Sequence, residues 1–349
     1  MRPIVFAIPG DLSLPTGGYA YDRRLLSEWQ QRGIAASHLA LPGSFPDPSD
    51  RDFAEAGRLL LGTPWDSTLL IDGLAYGAFP EGFAAGLAGR VVALVHHPLG
   101  LEAGLSSARA AELMALETGA LRHAAHVVTT SPLTKRLLVA EFGVSEDTIS
   151  VAEPGTDVAP RATGSGSARL NLLTVGSIVP RKAHSVLVAA LSGLTQQDWH
   201  LTIIGAEDRS PDTSAALHQQ IAQLGLSSRI TVAGAVDDDE LAAAYAATDI
   251  FTLPSLFEGF GMVLTEAMAR GLPIICTTGG AAAETVPDSV AVKVEPGNIA
   301  KLADAISALM RNKEERQARA DTAWALAADL PRWPDSARIV FEACQRISG

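Results

Sequence analysis

Two glutamates stand in the stretch Pro254-Ser-Leu-Phe-Glu258-Gly-Phe-Gly-Met-Val-Leu-Thr-Glu266-Ala-Met-Ala-Arg-Gly271-Leu-Pro273. An ionised carboxylate can only accept hydrogen bonds, so a pair of this kind suits a ligand rich in hydroxyls. Gly259 and Gly261 let backbone N–H groups come close to such a ligand, and a helix predicted from Met262 presents its positive end there. Gly271, with Pro273 just beyond, closes that helix. The same residues would also make an ordinary solvated helix with a glutamate near its start. A second group lies in Val175-Gly-Ser-Ile-Val-Pro-Arg181-Lys182-Ala-His184. An adjacent guanidinium fork and ammonium suit a diphosphate, although basic doublets are more often simply solvated.

The first half of the chain offers fewer candidates. Pro15-Thr-Gly-Gly18 follows an apolar run and opens a predicted helix, which a plain glycine turn would also do. His96-His97-Pro98-Leu-Gly-Leu-Glu102 follows another apolar run. Adjacent side chains on an extended segment point opposite ways, so only one of the two histidines faces any one ligand. Asp72 ends a third run and, with Glu102, is read as acceptor-binding or, for Asp72, as turn-stabilising.

These residues sit at the ends of regular elements. Strands are predicted at 3–10, 35–42, 68–72, 90–96, 125–131 and 149–153, then at 170–176, 200–205, 229–234, 250–254 and 273–277. Most are apolar at nearly every position, as parallel strands covered on both faces must be. Helical periods fill most of the intervals, and 314–347 reads as helix broken at Pro331 and Pro334. The fold class predicted is α/β, two Rossmann-like doubly wound domains facing a cleft. Pro160–Ala168, made of small and turn-forming residues, is the predicted linker. The predicted domains are 1–160 and 169–332, with a C-terminal helix of about 333–349 packing back on the first through Ile339, Val340, Phe341 and Cys344. Ligands are expected where the strands' carboxyl ends face each other across the cleft.

Absences narrow the chemistry. No Gly-x-Gly-x-x-Gly follows the first strand of either half, and no P-loop, His-Glu-x-x-His or EF-hand pattern occurs. His123 and His126 read as a helix end running into a strand. Asp237-Asp238-Asp239-Glu240 opens a helix and is assigned to capping. The chain has 349 residues, 47% hydrophobic and 19% charged, enough for two cores. Its 27 basic against 39 acidic residues give a net charge of −12, which argues against tracking a nucleic-acid backbone. Two distant cysteines, Cys276 and Cys344, rule out a zinc ribbon and suggest a reducing compartment. No window approaches a membrane span.

Taken together, the Glu258-x7-Glu266 element, the Pro-Arg-Lys turn, Gly279-Gly280 ahead of Glu284, and Pro154-Gly155-Thr156-Asp157 resemble a family 4 glycosyltransferase of the GT-B fold. The resemblance covers nearly the whole chain and is specific in its second half. It implies a retaining transfer of a sugar from a nucleoside-diphosphate sugar to an acceptor hydroxyl. By position, Glu266 would bind the ribose. Glu258, with the amides of Gly259, Phe260, Gly261 and Met262, would bind the donor sugar, and Arg181 and Lys182 the diphosphate. Gly234 to Val236 would border the base. Gly17 and Gly18 would approach the donor diphosphate, and His96 matches the family's cleft histidine, with His97, Asp72 and Glu102 left for the acceptor. The sequence departs from the family at Ser177, where a basic residue is usual, and at Ala183, where glycine is.

The catalytic group expected is thus His96, Glu258, Arg181 and Lys182, with no metal and no cofactor, because cationic side chains and helix dipoles can neutralise the leaving group. A nucleotide-sugar donor and an acceptor sugar, glycolipid or small molecule are the expected partners, without nucleic acid. Residues 1–168 hold 12 basic and 18 acidic residues, so a cytoplasmic enzyme with at most loose contact to the inner membrane face is expected. A sugar-nucleotide epimerase on the same fold, a phosphorylase-like enzyme needing a pyridoxal-phosphate lysine, and a silent nucleotide-sugar-binding subunit remain alternatives.

Overall fold

The computed structural model describes residues 2–347; residues 1, 348 and 349, which fall within the predicted domain spans and final helix, lie outside the described residues. The first sheet is built from β1 (Ile4–Pro9), β2 (Ala36–Leu41), β3 (Thr68–Asp72), β4 (Val91–Val95), β5 (His126–Thr129) and β6 (Ile149–Val151). The second is built from β7 (Leu170–Val175), β8 (Trp199–Ile204), β9 (Ile230–Gly234), β10 (Ile250–Leu253), β11 (Ile274–Thr277) and β12 (Ala291–Val294). Their orders are β2-β1-β3-β4-β5-β6 and β12-β11-β10-β7-β8-β9. Every described pairing is parallel. Strands β1, β3 and β4 are buried at every position, because helices cover both faces of the sheet.

In each sheet the strand order reverses once, between β1 and β3 and between β7 and β10. In open α/β sheets that switch point is where loops at the carboxyl ends diverge and leave room for a ligand. The residues singled out above follow these strands: Gly17 and Gly18 after β1, Asp72 at the end of β3, Arg181 and Lys182 after β7, and Glu258 after β10.

The chain divides into two compact units. One runs through Gly155 and resumes at Pro331; the other is Thr156–Leu330. The crossing therefore comes earlier than the predicted linker. The 160–168 stretch is tied to the second unit: Ala162 N donates to Arg270 O at 2.9 Å, Thr163 N to Ala246 O at 2.9 Å, and Arg161 pairs with Asp321. Small residues there fit a close-lying strap as well as they would a free linker.

The Trp333–Arg346 helix belongs to the first unit. Trp29 Nε1 donates to Ala337 O at 3.0 Å, and Thr68 Oγ1 to Cys344 O at 3.0 Å. Its buried stripe is Trp333, Ser336, Ala337, Val340, Ala343 and Cys344. Ile339 and Phe341, expected in that stripe, are only partly covered. Gly155 lies so close to the Trp333 backbone that no side chain fits there.

Sequence periodicity missed the Asp50–Leu61 helix and strand β12. The helix buries only Ala56, Gly57 and Leu60 behind a charged face. The strand is four residues at the edge of its sheet, with Lys293 in the middle. Short edge strands carrying lysine look like loop in sequence. Asp237 caps the Asp238–Ala246 helix through Glu240 N at 2.8 Å in a capping box, the role assigned to it.

Candidate functional site

The densest group of predicted residues lies at the β7/β10 switch point of the second unit. Leaving β10, the chain reaches Glu258, which forms a bridge to Gly280 and is 4% exposed. Leaving β7, it makes a short turn at Pro180–Lys182 that aims both cations at that carboxylate. Lys182 Nζ stands 2.7 Å from Glu258 Oε1, and Arg181 Nη1 3.4 Å from Oε2. Arg181 Nη1 also donates to Phe257 O at 2.8 Å, and Arg181 O accepts from Leu256 N at 2.8 Å, so the two loops are locked together. Burial works to raise the Glu258 carboxyl, but the charges of Lys182 and Arg181 outweigh it and hold Glu258 below the usual range. Two cations against one anion leave a net positive charge around this buried carboxylate.

Backbone groups add to that field. The Met262–Ala269 helix starts from Gly261 in the left-handed region, φ 92°, with no side-chain cap. The His184–Ser192 helix starts from Ala183, φ 50°, also without one. Some helices elsewhere take caps, from Thr16, Ser106 and Ser131, while others, such as Pro211–Gln223 and Trp333–Arg346, also start without one. Uncapped N-termini leave N–H groups and the positive helix end available to an anion. Gly279 and Gly280 lie against the backbone of Leu256 and Glu258, closer than a side chain allows.

Glu266, one turn into the Met262–Ala269 helix, is half-buried. Tyr245 Oη donates to its Oε2 at 2.9 Å, and Arg270, one turn further on, covers the Tyr245 ring at 4.3 Å. Burial pushes the Glu266 carboxyl up; the Tyr245 bond and the Arg270 charge offset this in part. Its Oε1 remains as an acceptor. Gly234 ends β9, and Val236 follows in the loop leading to Asp237. His184, behind Lys182, is buried and pushed down to about 4 by burial and by the Lys182 charge, so it is neutral.

The first unit carries a second group at its own switch point. His96 Nε2 stands 3.2 Å from Asp22 Oδ1 and 3.4 Å from Asp72 Oδ2. These three are also the group of His, Cys, Asp and Glu among the described residues whose spacing could enclose a small cation. Asp72 Oδ1 caps the Gly73–Tyr76 turn through Leu74 N at 2.8 Å, so both Asp72 oxygens are engaged within the protein. Gly18 lies against the His96 ring, where an added side-chain carbon would come 3.6 Å from Cδ2. His97 instead faces Glu102, Nε2 to Oε2 3.6 Å. The adjacent histidines thus engage different carboxylates. His123 pairs with Glu81 and His126 with Ser150, apart from both groups.

Sequence reasoning missed Asp22, Tyr245 and Arg270. Asp22 was detectable: it shares a helix stripe with buried Leu25 and Trp29, where a charge has no place without a partner. Arg270 falls four residues after Glu266, the spacing of neighbours on a helix. Tyr245 comes from a different element, and nothing local marks it.

Residues 157–324 match the family described as "Glycosyl transferases group 1". The chain is 26% identical over 304 residues to the MMP alpha-(1->4)-mannosyltransferase of Mycolicibacterium hassiacum, covering 83% of this chain and 72% of that protein. It is 31% identical over 278 residues to the D-inositol 3-phosphate glycosyltransferase of Nocardia farcinica, covering 72% of this chain but 61% of that one. Anabaena HepE, solved in complex with UDP and glucose, matches with a TM-score of 0.77 at 19% identity, over 98% of this chain and 99% of that chain.

Proposed function

Because residues 157–324 belong to the glycosyl transferases group 1 family and the chain has the two doubly wound sheets of the GT-B fold, we propose that this glycosyltransferase moves a sugar from a nucleoside-diphosphate sugar to an acceptor hydroxyl. The transfer retains the anomeric configuration and needs no divalent metal. The observation that carries the reading is the convergence of Lys182 and Arg181 on Glu258 beside two uncapped helix N-termini.

Breaking a glycosidic bond to a diphosphate builds positive charge on the sugar and negative charge on the leaving group. Arg181, Lys182 and the helix ends are placed to stabilise the second without reorganising. Glu258, held ionised, accepts from donor-sugar hydroxyls, and Glu266 Oε1 accepts from the ribose while Tyr245 fixes Oε2. Gly234 to Val236 border the base. In the first unit, His97 and Glu102 are assigned to the acceptor. Retention rests on the family likeness, with same-face displacement as the default route. The mannosyl- and inositol-phosphate glycosyltransferase relatives favour a sugar or sugar-phosphate acceptor. Among the described residues no helix is long and apolar enough to cross a membrane; we place the reaction in the cytoplasm, with at most peripheral contact to a membrane.

The test is a panel of nucleotide sugars with and without acceptors, in excess EDTA, reading free nucleoside diphosphate and the anomer of the product by NMR. Acceptor-dependent release with the donor's anomeric configuration is expected. An inverted product removes retention, and loss restored by Mg²⁺ or Mn²⁺ removes metal independence. Conversion of the donor sugar without acceptor favours an epimerase.

A further inference from the structure

His96 was singled out by its place at the end of a strand, which says nothing about its charge. Its Nε2 faces two carboxylates from different elements: Asp22 on the Gly17–Gln31 helix and Asp72 on β3. Both are shut off from solvent, at 0% and 2% exposure, while 22% of the His96 side chain remains exposed. Burial pushes the Asp22 carboxyl up to about 7 against the pull of His96, with Asp72 adding to the rise. Above that pH Asp22 is ionised, a bare Nε2 lone pair aimed at two acceptors would be repelled by both, and Nε2 carries the proton. Two buried carboxylates with no other cation would be costly, and a charged ring between them relieves that cost.

The remaining neighbours do not supply the charge. Arg23 donates to the carbonyls of Leu12 and Leu14, and Arg24 lies over the Trp333 ring. Tyr21 meets the His96 ring edge-on at 5.2 Å and gives its hydroxyl proton to Ala152 O. Thr130 Oγ1 binds the His96 carbonyl at 3.3 Å, and His97 engages Glu102.

We propose that Asp22 is a positioning residue for His96: with Asp72 it shares the Nε2 proton, so that the ring stands as an imidazolium and offers its Nδ1–H and positive charge to an oxygen of the substrate. His96 then acts as a fixed N–H donor, its positive charge balanced from behind by the two carboxylates. The balance of forces agrees, since burial alone would lower the ring's pKa and the two carboxylates reverse this, lifting it to about 10. The substrate part of this inference rests on the sugar-transfer reading above; the arrangement of the triad does not.

The experiment follows the His96 ring by ¹H–¹⁵N NMR in the full chain, wild type and Asp22→Asn, from pH 5 to 10, alongside turnover. In wild type the ring should stay doubly protonated past pH 8. In the variant its midpoint should fall by at least one pH unit and turnover at pH 8 at least tenfold, recovering as the pH is lowered through the new midpoint. A wild-type His96 that titrates near 6.5 overturns the proposal and needs no variant to read. An Asp22→Asn midpoint equal to wild type also overturns it. A ring that responds to added Zn²⁺ or Mn²⁺ alone at micromolar levels would make the triad a cation site and overturn it too. If no nucleotide sugar turns over, the sugar-transfer reading fails while the NMR titration still decides the triad.

Discussion

Glu117 sits inside the first unit, 1% exposed, and its Oε2 accepts from Leu99 N at 2.8 Å. That bond anchors the loop that carries His96 and His97 away from β4. Burial pushes the carboxyl up to about 8, with the Leu99 bond pulling slightly the other way. A raised value means that the folded protein holds this proton where the unfolded chain has lost it. Its contribution is therefore complete below the ordinary glutamate range and drains away as pH rises towards 8. Glu117→Gln keeps an acceptor for Leu99 without a titrating proton. Each pH unit by which folding raises a midpoint corresponds to roughly 1.4 kcal/mol. We expect the variant to leave stability at pH 4.5 nearly unchanged and to gain on the order of 1–3 kcal/mol over wild type at pH 8. Thermal melts across that range check it; a gain that does not grow with pH contradicts it. Glu258 runs the opposite way: its partners hold it below the usual range, so its contribution is present at neutral pH and lost on acidification.

The turn from β7 into the next helix shows what a single backbone angle asks of sequence. Ala183 is the one non-glycine residue with positive φ among the described residues. The left-handed region costs an L-residue about 1–2 kcal/mol, and glycine gives back about 0.5–1 kcal/mol through its looser unfolded chain. Ala183→Gly should therefore raise the melting temperature slightly, by up to about 1 kcal/mol in stability; Ala183→Val should lower it. Equal melting of all three would show that the turn is unstrained. Elements of this kind were the legible part of the sequence. The strands β1, β3, β4 and β7 were readable as apolar runs, and Glu258, Arg181 and Lys182 as a polar group at strand ends. Asp72's double engagement and Tyr245's hold on Glu266 were not, because each depends on which strands lie next to each other. That order is set by packing across the whole sheet, which no local window contains.

At the scale of the molecule, the first unit is discontinuous and the second is not. Removing residues from Pro331 onward strips Trp333, Ala337, Val340, Ala343 and Cys344 from the first core and leaves the buried indole N–H of Trp29 without Ala337 O. Each large apolar side chain lost is worth about 1.5–3 kcal/mol, against a typical domain stability of about 5–15 kcal/mol. A chain ending at Leu330 should therefore lose the cooperative melt of its first unit and keep that of its second, as calorimetry with hydrogen exchange would show; protection in residues 2–155 equal to full length would refute this. The same discontinuity sets a timetable on the ribosome. The first half to leave the exit tunnel must wait, with the surface for its last helix uncovered, while the second half is made and can fold ahead of it. Synthesis at about 5–20 residues per second makes that wait roughly ten seconds or more. For this chain the order of translation is the reverse of the order of completion, and Trp29 and Tyr21 are the aromatic groups a holding chaperone would find in the interval.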